Sequence, residues 1–231
     1  MSSPYNRAGL LYVGSRIQDS ANLSTATYDN WYDDVHVPHI LETSGVQSAA
    51  RYIINSTEDN EFNWPFLAIY PIKDLHYLTT EEFAAVPMTD DLLPGPSHSC
   101  LDCADFDQRH YVLIGKFHTG QMPLDPAPKL VVIHFNPPAE LRDADKGKIQ
   151  EWYIGLHQHV DKVVQRVRVY NLIVARRFAD SDSAKLPSFI ALHEVSTDSD
   201  SQKVLAAVHS ISTIAMTYNA WKNFGLATTE F

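Results

Sequence analysis

The residues of this 231-residue chain best able to do chemistry are its histidines, eleven in all, and its aromatic side chains. His36 closes the run Trp31-Tyr32-Asp33-Asp34-Val35-His36. An imidazole on a short helix beside aromatic rings can take up or deliver a proton near neutral pH. The same position also suits a helix-end histidine that merely satisfies local backbone. His39 follows three residues later; on an unbroken helix the two rings share a face, but Pro38 lies between them. His36, His39 and Glu42 mimic a metal-ligand spacing, yet the proline spoils the regular helix such a site requires, and no metal is expected. Asp33 and Asp34 can orient the imidazole and raise its pKa, or form a solvated acidic first turn.

Other residues are candidates for contact with a ligand. Tyr12, Tyr28, Trp31, Tyr32, Tyr52 and Tyr70 offer apolar rings, most with a polar tip, which suits planar phenolic compounds; most of them must also build core. Arg51 can bind a carboxylate or enolate or sit exposed at a strand end. His134 and His193 lie inside apolar strands, where a buried ring needs a partner from a ligand or from the core. His110 and His118 share a face with Val112 and Ile114 and rank lower. Cys100 and Cys103 form a lone C-x-x-C in an irregular stretch, read as two loop cysteines rather than a redox pair. Glycine-rich nucleotide loops, the G-x-S-x-G elbow and H-E-x-x-H are absent, and no cofactor is expected.

The elements that must position these residues occur twice. Trp31-Tyr32 begins W-Y-x-x-aliphatic-H, and so does Trp152-Tyr153, which places His157 at the His36 position. Leu10–Val13 and Leu130–Ile133, Arg51–Ile54 and Val169–Leu172, and Phe66–Tyr70 and Phe189–His193 repeat in the same order, about 120 residues apart. The pattern predicts two copies of one unit, over 1–122 and 129–231. Each copy reads strand, helix, strand, strand, helix, strand. The first has strands near 9–17, 46–54, 64–72 and 109–118 and helices over 25–36 and 75–86, with a kink or stop at Pro38. The second has strands at 129–136, 165–177 and 187–195, helices over 145–161 and 199–215, and a short final segment near 224–231. The stretch 87–107 reads as a long loop of lid or binding type.

This order is the split ferredoxin-like unit. The run from Trp31 through His36, Pro38 and His39, followed by Gly45-Val46 and Arg51-Tyr52, resembles the EthD-like branch of the dimeric α+β barrel superfamily. The resemblance implies an α+β fold in which two ferredoxin-like antiparallel sheets pack as a barrel, here within one chain, around an apolar chamber. It implies small hydrophobic or aromatic ligands, and relatives that are cyclases, decarboxylases, lactone isomerases or haem-dependent. His36, with His39 and His157, is then the expected proton-transfer group. In the second copy Ile154 and Gly155 replace the acids and His159 replaces Pro38, so the first copy is favoured as the active half.

Composition narrows the partners. With 18 basic and 28 acidic side chains the formal charge is −10, which disfavours nucleic acid and anionic membranes. No apolar run reaches the length of a membrane helix, and the N-terminus lacks secretory features. The expectation is a cytoplasmic protein, with a homodimer as one option for its oligomeric state. Its expected activity is that of a cofactor-independent lyase, isomerase or cyclase acting on a polyketide-like carbonyl compound. A non-catalytic small-molecule binder and a haem-dependent oxidoreductase are the alternatives.

Overall fold

The computed structural model describes residues 3–55, 64–118, 127–141, 144–156, 163–177 and 186–225. Its strands are β1 (Gly9–Ile17), β2 (Ser48–Ile54), β3 (Phe66–Ile72), β4 (Ala104–His118), β5 (Lys129–Phe135), β6 (Val164–Arg177), β7 (Phe189–Val195) and β8 (Ser212–Gly225). They close antiparallel in the order β1-β3-β2-β8-β5-β7-β6-β4. Numbered within its own half, each sheet runs 4-1-3-2. The halves join where β2 pairs β8 and where β4 pairs β6. Closure leaves no unpaired edge, and no partner chain is needed to complete the barrel.

Strand alternation sorts side chains into two environments. Leu10, Tyr12, Tyr52, Leu67, Tyr111 and Tyr218 pack inside the barrel with Leu130, Tyr170 and Leu192. Leu11, Ala68, Tyr70 and Val112 face outward beneath the helices of the first half, as do Val131, Ala191 and Val169 beneath those of the second. The helices are α1 (Thr25–Trp31), α2 (Val37–Leu41), α3 (Glu81–Ala84), α4 (Lys146–Gly155) and α5 (Asp198–Val208). Ser24 caps α1 by accepting from the Thr27 amide. Pro38 neither stops nor sharply breaks the chain. A π-helical turn, Tyr32–His36, precedes it, with the Val37 amide donating to the Tyr32 carbonyl. Pro38 then falls in the first turn of α2, where a missing donor costs little.

Several boundaries differ from the sequence expectation, and β4 begins at Ala104, inside the stretch expected to be loop. The last helix ends at Val208, and a 14-residue strand replaces its tail. Ile214, Met216, Tyr218 and Ala220 alternate into the barrel, and the sheet needs this strand to pair both β2 and β5. The expected helix over 75–86 is a 3-10 turn, Leu75–Thr79, followed by the short α3. Among the described residues no helix is long and apolar enough to cross a membrane.

Candidate functional site

His36 sits at the end of the π-helical turn, 7% exposed. Its ring stacks on Trp31 at 4.9 Å and meets Tyr32 edge-on at 5.3 Å. Nδ1 lies 3.3 Å from the Pro87 carbonyl oxygen. A carbonyl only accepts, so Nδ1 carries the proton and Nε2 keeps a lone pair. No described residue engages Nε2, and the side chain lines a cavity on the outer face of the first sheet. Burial lowers the His36 pKa to about 4, with the neighbouring His39 and Arg51 adding to the effect. The ring is therefore neutral at pH 7, whereas the sequence suggested a group titrating near neutrality.

The cavity has a volume of about 260 Å³. Its floor is Leu11 and Val13 of β1 with Phe106 and Gln108 of β4; Tyr32, His36 and Ile40 form the helical wall. The rim is Val86, with Met88 and Leu101 from the stretch read as a binding loop. Tyr70 donates to the Tyr32 hydroxyl at 3.4 Å, which leaves the Tyr32 proton free to point at a ligand. Burial pushes the Tyr32 pKa up to about 12, so the hydroxyl stays protonated. Among the described residues no Lys, Arg, Asp or Glu lines the cavity. Haem, which the resemblance raised, does not suit it. The volume falls below the ~300–1,000 Å³ usual for drug-sized ligands, and no lining cation is present to meet two propionates.

Arg51 is neither exposed nor open to a ligand. Its guanidinium is 1% exposed, reaches Asp33 at 2.5 Å and Asp29 at 3.0 Å, and lies 4.4 Å over the Tyr32 ring. Asp33 thus holds Arg51, and accepts from the Trp221 indole at 3.1 Å, instead of orienting His36. Tyr28 is buried, donating to Ser15 at 2.6 Å, and Trp31 backs His36 from outside the cavity. His39 does not line the cavity, and its buried Nδ1 has no partner among the described residues.

The inward face of the barrel carries buried side chains. Tyr12, Tyr52 and His134 are among them, each about 1% exposed. His134 Nδ1 accepts from Arg109 at 3.3 Å, and Arg109 is held by Asp107 at 2.6 Å and 2.9 Å. His193 faces the opposite way, under α4, with Nε2 3.4 Å from the Tyr153 hydroxyl and Nδ1 3.3 Å from the Val131 carbonyl. This pair repeats Tyr32 with Tyr70 in the second half. Of the expected site residues, His36, Tyr32 and Tyr70 therefore share the cavity, while Tyr12, Tyr52 and His134 are separated from it by the first sheet. His157 lies outside the described residues. Cys100 and Cys103 are buried free thiols in a 3-10 turn, and burial pushes the Cys100 pKa up to about 12. Among the described residues no three His, Cys, Asp or Glu side chains gather as a metal site. Sequence reasoning passed over Gln108; its one signal was strand alternation, which puts it two residues from His110 on one face.

No protein-family model matches the chain, and no curated protein sequence matches it. Solved structures do. An anthrone oxidase-like protein aligns over 100% of this chain and 98% of its own, with 10% identity and a TM-score of 0.50. A chlorite dismutase-like protein aligns over 94% of this chain and 96% of its own, with 14% identity and a TM-score of 0.52. At such identities the likeness concerns the fold. The chain has the dimeric α+β barrel fold, with both sheets supplied by a single polypeptide.

Proposed function

We propose that the protein binds a small, neutral, hydrophobic compound carrying an enolisable carbonyl or an acidic hydroxyl, and moves a proton on it without a cofactor, as lyases, isomerases and cyclases do. The observation that carries this reading is the His36 Nε2 lone pair, left unpartnered at the wall of an apolar cavity. In this reading Nε2 takes a proton from carbon α to the carbonyl. The Nδ1–H bond to the Pro87 carbonyl holds the ring and strengthens as it becomes an imidazolium. The Tyr32 hydroxyl, accepting from Tyr70, donates to the oxygen on which enolate charge develops. A base with a pKa of about 4 is weak, so the substrate class is one of activated protons: benzylic ketones, 1,3-dicarbonyls and phenols, not simple ketones. The same weakness favours a second reading, in which the protein binds such a compound and releases it unchanged.

Deuterium exchange at C1 of 2-tetralone, followed by NMR, separates the readings. Catalysed exchange that drops about 100-fold in a folded His36→Gln variant supports proton transfer. Saturable binding without exchange supports the carrier, and failure to bind two-ring ketones or phenols removes both.

A further inference from the structure

The cavity contains a second polar group whose direction is set from behind. Gln108 and His110 are neighbours on the outward face of β4, at registers opposite Val13 and Leu11 of β1. The Gln108 amide nitrogen lies 3.0 Å from His110 Nε2, and His110 Nδ1 lies 3.4 Å from the Tyr5 hydroxyl. His110 is 1% exposed, edge-on to Tyr5 at 6.2 Å and to Phe83 at 6.5 Å. Burial lowers its pKa to about 4, so the ring is neutral. A neutral ring that accepts at Nε2 carries its proton on Nδ1 and donates it to Tyr5. The chain Gln108, His110, Tyr5 is self-consistent, and it uses the amide nitrogen of Gln108. The amide oxygen has no partner among the described residues, and the side chain lines the cavity floor.

We propose that Gln108 is a specificity-determining residue, its amide oxygen presented to the cavity by His110 to accept a hydrogen bond from a second hydroxyl of the ligand. This rests on the function proposed above and narrows its substrate class. Beside the Tyr32 and Tyr70 hydroxyls, the cavity offers two neutral acceptors that have no partner among the described residues, His36 Nε2 and Gln108 Oε1, on different walls and with no charged lining group among the described residues. A monohydroxylated ligand displaces water from both acceptors and pairs only one of them, which costs binding energy. The favoured compounds are fused-ring aromatics, or their keto tautomers, with two separated hydroxyl donors; anionic ligands and fully O-methylated ones are rejected. His110 acts as a positioning residue and touches no ligand.

The test uses naphthalene probes, read by quenching of tryptophan fluorescence and checked by calorimetry. 2-Naphthol carries one donor, the 1,6-, 2,6- and 2,7-dihydroxynaphthalenes carry two, and 2-methoxynaphthalene carries none. The expected order for the full chain is best diol over naphthol by about five-fold, with the ether weakest. In Gln108→Leu the diol-to-naphthol ratio collapses to about one; Gln108→Met, closer in shape, serves if leucine disturbs the sheet. His110→Phe lowers the ratio without abolishing naphthol binding. A wild-type protein that binds naphthol with no diol preference, or a preference that survives both Gln108 variants, overturns the role of Gln108 while leaving the proposed function standing. A wild-type protein that binds none of the probes overturns both.

Discussion

At the scale of the residue, the decisive feature is a histidine made neutral by its surroundings. Desolvation outweighs the Pro87 hydrogen bond, which on its own raises the His36 pKa. The sign for stability follows from linkage. In the unfolded chain a histidine titrates near 6.5; folded, His36 and His110 hold out until about pH 4. Between those values the unfolded state binds more protons, so their contribution, intact above pH 6.5, is lost as pH falls towards 4. The melting temperature is expected to drop between pH 7 and 4.5, and His36→Phe is expected to make that drop shallower. A wild-type melting curve unchanged over this range contradicts the assignment of both rings.

At the scale of the element, the site depends on holding the π-helical turn against β2. Arg51 does this from beneath, bridging Asp29 of α1 and Asp33 of the turn while lying under Tyr32. Arg51→Met removes the cation that Asp29 and Asp33 share and leaves Asp33 with the Trp221 indole and with Lys222 at 3.7 Å. Breaking a buried ion pair from one side costs about 3–5 kcal/mol, which chemical denaturation measures directly. Ligand affinity is expected to fall along with stability, because Tyr32 and His36 ride on the same turn. A variant as stable as wild type shows the clamp to be dispensable. Gly45 adds a steric term at the return from α2: a Cβ there meets the Tyr77 ring at 2.0 Å, and only glycine allows this approach.

At the scale of the molecule, the two halves complete one another. β2 and β4 are the outer strands of the first sheet, and each is covered only by the second half. The inward face carries Leu10, Tyr12, Leu67 and Tyr111, too much apolar surface to leave in water. A chain ending after β4 is therefore expected to pair with a second copy, β2 of each against β4 of the other, and to run as a dimer in size-exclusion chromatography with light scattering. A folded, monomeric half contradicts this account of how the barrel is held together.

Much of this was legible in the sequence because it depends on local pattern. The repeat of Trp31-Tyr32 at Trp152-Tyr153, with apolar alternation in the strands, pointed to two copies of one strand-helix-strand-strand-helix-strand order; the α+β barrel was implied only by the resemblance to the dimeric α+β barrel superfamily. Proline and aromatic spacing marked the segment that bears His36. Alternation also grouped His134 with Val132, but it states only which residues share a face, not which face looks inward. Tertiary structure decided that: tyrosines and the Arg109–Asp107 pair face inward, while the cavity lined by His36 lies on the outer face of the first sheet. It also decided that Arg51 is spent on two aspartates and that Gln108 meets the cavity, since both depend on groups brought together from distant parts of the chain. The neutrality of His36 belongs there too, because desolvation is a property of everything packed around a group and not of its neighbours in sequence.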